Sequence, residues 1–110
     1  MILDQEGHTS VITQDNTSLP ELVLKIQDIY SKIKNNNIIV NLTSLNKVSL
    51  EDILVFSDLS EKHRNLSHSM VIVCGEISID DVPDELIIVP TLQEAHDIVE
   101  MEEMERDLGF

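Results

Sequence analysis

This sequence predicts an α/β fold with a mixed, mainly parallel sheet of about five strands, crossover helices and a long C-terminal helix. Three observations predict it. Apolar runs at residues 38–42, 70–74 and 86–89 have the length and near-continuous hydrophobicity of strands covered on both faces. Segments with helical apolar spacing follow, each opening on a capping signal: Ser18 with Glu21, Ser49 with Asp52, and Thr91 with Glu94. Strands that alternate with helices pair in parallel through right-handed crossovers.

Residues 1–4 and 9–13 are β-prone pieces around Glu6-Gly7, a hairpin turn that adds antiparallel strands at one side of the sheet. Ser18 opens the first helix, Pro20 is tolerated in its first turn, and Leu19, Leu22, Ile26, Ile29 and Ile33 form one stripe. Asn35-Asn36-Asn37 is expected to end it, because asparagine tolerates left-handed backbone. After the strand at 38–42, a second helix is expected from Leu50 to about Arg64. The next strand, 70–74, closes on Gly75 and leads into an acidic loop. Pro90 stops the strand at 86–89, and the last helix runs from Leu92 to about Asp107. Residues 1–100 then make one α/β domain, and 101–110 an acidic helical extension of it.

Composition narrows the function. The 110 residues, 42% hydrophobic, suit one core, and with only 3% aromatics that core must be Ile, Leu and Val. Cys74 stands alone, and the chain shows neither a secretory signal nor a run of about 20 apolar residues, so the expected location is the cytoplasm. Net charge is −14. Such a chain repels phosphate backbones and anionic membrane surfaces, and its carboxylates form either a solvated, solubilising face or a docking surface for a protein partner with a basic surface. The asymmetry sharpens this: from Glu76 onward there are 12 acidic residues, and Arg106 is the one Lys or Arg.

No catalytic, cofactor or metal residues are expected. The three glycines are isolated, so there is no phosphate loop, and His8, His63, His68 and His96 are scattered without metal-ligand spacing. Asp80, Asp81, Asp84 and Glu85 lack the alternating spacing and turn glycine of a calcium loop. Lys62, His63 and Arg64 suit a helix C-terminus and offer at most a small anion site. Cys74 has no adjacent cation to activate its thiol. In the last helix, Ala95, Ile98 and Val99 are placed to pack on the sheet. Beyond Glu100, Met101, Met104 and Leu108 continue an apolar line that either packs on the domain's own helices or, on a helix extending past the sheet, is offered to a partner with Phe110 as anchor.

The order of elements, with the run Ile39-Val40-Asn41-Leu42-Thr43-Ser44-Leu45-Asn46-Lys47-Val48-Ser49-Leu50-Glu51-Asp52, resembles the STAS domain of anti-sigma factor antagonists. The segment Pro83-Asp84-Glu85-Leu86-Ile87-Ile88-Val89-Pro90-Thr91-Leu92-Gln93-Glu94-Ala95 is similar to that family's last strand and capped last helix. The resemblance implies a regulatory or adaptor protein that works by protein–protein contact. It also implies a phosphorylated serine in an Asp-Ser-Ser-Gly loop, but here that loop reads Ser49-Leu50-Glu51-Asp52, so Ser49, Glu51 and Asp52 mark a switch lost or frozen. The run from Pro83-Asp84-Glu85-Leu86 through Pro90-Thr91-Leu92-Gln93-Glu94-Ala95 to Met101-Glu102-Glu103-Met104-Glu105-Arg106-Asp107-Leu108-Gly109-Phe110 also resembles a small Bacteroidota family often labelled ribonuclease Z. The His-x-His-x-Asp-His cluster of that enzyme is missing here, and ribonuclease activity is not expected. The alternative expectation is a nucleotide- or anion-binding protein, or an enzyme, that uses a crevice near Cys74 and the Ser49 loop.

Overall fold

Alternation along the central strands decides how the layers stack. In the computed structural model, which describes residues 1–13, 18–45, 48–75, 82–83 and 86–109, the strands are β1 (Ile2–Glu6), β2 (Thr9–Thr13), β3 (Asn37–Asn41), β4 (Met70–Val73) and β5 (Ile88–Val89). The helices are α1 (Leu19–Ile33), α2 (Leu50–Leu54), α3 (Ser57–Asn65) and α4 (Leu92–Asp107). The sheet order is β1-β2-β3-β4-β5, antiparallel between β1 and β2 and parallel thereafter.

Successive side chains on a strand point to opposite faces. Ile12, Ile38, Val40, Leu42, Met70, Ile72 and Cys74 therefore meet one helical layer, in which Leu22, Ile26, Ile33, Ile53, Phe56 and Leu59 are buried. Val11, Ile39, Val71 and Val73 point the other way and meet Ala95 and Val99 of α4. The strand order advances one place at each step in one direction, so crossovers of one hand must share a face. No strand follows α4 among the described residues, and it covers the opposite face alone.

The Ser and Thr caps form as the sequence predicts, whereas the reciprocal bond expected from Glu21 and Glu94 does not. Ser18, Ser49 and Thr91 each accept a backbone N–H three residues on, and at Ser49 and Asp52 the capping box closes in both directions. Gly7, at the first of two hairpin loop positions, has φ 63°, a left-handed value that a type II′ turn reserves for glycine.

Three expectations need correction. The single helix from Leu50 to Arg64 is two, α2 and α3. At Val55-Phe56 the chain tightens, the Phe56 N–H bonding the Ile53 carbonyl three residues back, and Phe56 is swallowed by the core. The asparagine triplet does not end α1 through a left-handed residue. Among the described residues Ser67 alone, apart from glycine, has positive φ, and Asn37 is the first residue of β3. The last strand is shorter than 86–89, because β5 pairs with β4 only through Ile72↔Ile88 and Val73↔Val89 before Pro90.

Candidate functional site

The last two turns of α4 are where the sequence-predicted surface residues lie, and polar chemistry holds them in place. Ala95 and Val99 are buried on the sheet, and Glu102 and Arg106 extend that stripe at the same helical spacing. Three side chains do the anchoring. Arg106 donates through Nη1 and Nη2 to Ser69 Oγ and through Nη2 to Asn37 Oδ1, each at 3.2 Å. Asn37 Nδ2 donates to Glu103 Oε1. Arg64, at the end of α3, donates at 3.1 Å both to Glu102 Oε2 and to the Met70 carbonyl, and so ties α3 to α4 beneath the amino end of β4.

Asn37 is the hub. It is buried, and besides Glu103 and Arg106 it accepts the Ser69 backbone N–H at 2.8 Å. An amide suits this position because it offers both an acceptor and donors, which a carboxylate or an aliphatic side chain does not. Asn36, next to it, donates from Nδ2 to Ser10 Oγ at 3.2 Å.

This anchorage corrects the expectation that the helix extends past the sheet. Glu102, Glu103 and Arg106 turn inward, so Met101, Met104 and Leu108 are left in solvent at 49%, 64% and 70% exposure. They do not pack on the domain's own helices, and the line they form lies on the outer surface of α4. Phe110 lies outside the described residues, as do Asp80, Asp81, Asp84 and Glu85.

The other singled-out residues stand apart from this surface. Ser49, Glu51 and Asp52 begin α2, beyond the carboxyl end of β3, whereas the α4 anchors meet the amino ends of β3 and β4. Ser49 is engaged as a cap: its Oγ accepts Asp52 N–H at 3.2 Å and its own N–H bonds Asp52 Oδ2 at 3.0 Å. The Cys74 side chain belongs to the core under the helical layer, and its thiol is buried.

The Lys62-His63-Arg64 run is dispersed rather than convergent. Lys62 lies 4.7 Å over the Tyr30 ring, and Arg64 reaches Glu102. His63 is wholly buried: its Nε2 donates to the Asn36 carbonyl at 2.7 Å, which fixes the tautomer and leaves Nδ1 to accept the Tyr30 hydroxyl at 2.6 Å. Burial pushes its pKa down to about 4, with the neighbouring His68, Arg64 and Arg106 charges adding to the effect against the Asn36 hydrogen bond.

A shallow cleft of about 230 Å³ borders the α4 anchors, lined among others by His8, His68, Asn37, Glu103, Arg106 and Asp107. Its acidic and imidazole groups do not converge. Among the described residues no three His, Cys, Asp or Glu side chains are placed to hold a metal ion. No described helix is long and apolar enough to cross a membrane.

Sequence reasoning missed the anchors themselves. One signal was present: Arg106 is the only Lys or Arg after residue 76, set among carboxylates on an otherwise acidic helix. No protein-family model matches this chain, and no curated protein matches it either.

Proposed function

We propose that this chain is a non-catalytic, cytoplasmic regulatory or adaptor protein with a STAS-like domain that lacks the phosphoserine switch. It acts through the outer face of α4. One observation carries the reading: Glu102, Glu103 and Arg106 pin the end of α4 inward, so that Met101, Met104 and Leu108 are held in water on a fixed surface. Keeping large apolar side chains exposed forgoes roughly 1.5–3 kcal/mol each relative to full burial, and clusters of them commonly mark interaction sites. The order of elements and the capped start of α4 support the STAS-like reading. The small-ligand alternative draws no such support, since the Cys74 thiol packs in the core and Ser49 caps α2.

A photo-crosslinking residue at position 104, compared with one at the equally exposed Leu24 on α1, tests this in native lysate. A protein captured at 104, not at 24, and lost when Met101→Ser is added is the expected result. Equal capture at both positions, or tight nucleotide binding at any site, overturns the reading. Truncation at residue 100 is a poorer test, because it also strips Asn37 and Ser69 of their partners.

A further inference from the structure

Charge on α4 is sorted by face. Arg106, the one Lys or Arg from residue 76 onward, aims its guanidinium inward at Asn37 and Ser69, and Glu102 and Glu103 are likewise spent on inward bonds. Outward there remain Met101, Met104 and Leu108 with the exposed carboxylates Glu94, Asp97, Glu100, Glu105 and Asp107, and no cation. We infer that this face docks a cationic amphipathic helix: one with apolar residues at i, i+3 or i+4, and i+7, flanked by Lys or Arg. The inference rests on the reading of α4 as a docking surface and names its partner.

Complementarity selects this occupant over the others. A second copy would set the same carboxylates against each other on chains of net charge −14, and like charges across an interface oppose association. An anionic lipid surface is repelled for the same reason. A neutral apolar partner would dehydrate the carboxylates beside the methionines with no counter-charge in return. A cationic partner supplies that charge, and the attraction also speeds encounter.

Geometry favours a helix over an extended strand. The face is the side of a helix, whose backbone groups are already paired, so strand addition has no edge to use there. From Met101 to Leu108 is two turns, about 10 Å along the axis, which matches one i to i+7 repeat on an opposing helix. Unbranched methionines adapt to the opposing side chains. A convex face of this kind meets its partner by ridge-into-groove packing.

Fluorescence anisotropy with a labelled Leu/Lys peptide of amphipathic helical periodicity tests the inference on the full chain. Two controls accompany it: a scrambled peptide of equal composition, and the Leu24→Ser variant. We expect binding of the periodic peptide to weaken about tenfold or more in Met101→Ser/Met104→Ser, to be unchanged in Leu24→Ser, and to fall as salt rises. The scrambled peptide should bind about tenfold or more weakly. Equal binding of the two peptides, or indifference to the methionine changes, would show that bulk charge alone attracts them and overturn the inference. Concentration-dependent dimers abolished by Met104→Lys would overturn it in favour of a second copy. Capture of a protein through position 104 without periodic-peptide binding would sink this inference while leaving the docking reading intact.

Discussion

Protonating His63 means placing a charge in the core beside Arg64 and Arg106, and the fold resists it. With the folded pKa held near 4 against about 6.5 in the unfolded chain, the unfolded state binds the proton first as pH falls. The ring's contribution to stability is therefore fully present above about pH 6.5 and is lost progressively down to about pH 4, amounting to about 3 kcal/mol. We expect the His63 ring carbons to keep their neutral NMR shifts at pH 5, with nitrogen shifts of an Nε2–H tautomer. Titration of His63 near pH 6.5 would contradict this. A helical pattern alone shows that His63 lies one turn below Leu59 on the buried side of α3. It cannot show that Tyr30 and Asn36, some 30 residues earlier, supply both of its bonds. Asn37 was hidden in the same way, as an asparagine in a turn-like triplet whose partners lie 32 to 69 residues away.

α4 shows where periodicity stops informing. Ala95, Ile98 and Val99 were legible as the packed face, because apolar chemistry and helical spacing agree there. Past Glu100 the packed stripe keeps its spacing but changes its chemistry to Glu102, Glu103 and Arg106, and apolar residues take the outer side. A rule that follows hydrophobicity alone turns the helix the wrong way at that point. Arg106→Ala removes charge-assisted bonds to Asn37 and Ser69, and we expect a loss of roughly 1.5–3 kcal/mol in urea unfolding. Amide exchange should accelerate most in the last two turns of α4. Uniform acceleration through the helix, or none, would mean that the anchors do not hold the end. The break between α2 and α3 was illegible for a related reason: Ile53, Phe56 and Leu59 fit one helical stripe, and only burial of Phe56 reveals the tightened turn between them.

At the scale of the molecule, charge opposes compactness. An ion pair such as Arg64 with Glu102 does little against a net charge of −14. Raising salt from about 10 to about 150 mM shortens the screening length from about 30 to about 8 Å, and we expect the melting temperature to rise by a few degrees. A fall would mean that specific ion pairs outweigh the repulsion. The sheet itself was readable from its apolar runs, and so was the parallel pairing of β3, β4 and β5; β2, read as part of an antiparallel hairpin, also pairs in parallel with β3. That β1 to β5 lie side by side in chain order has a consequence for how the protein is made. Each new strand emerging from the ribosome finds its neighbour already in place, so the sheet grows by accretion. Among the described residues, its second face, with Val11, Ile39, Val71 and Val73, is covered by α4 alone. A chain folded only as far as β5 therefore shows chaperones a bare apolar face.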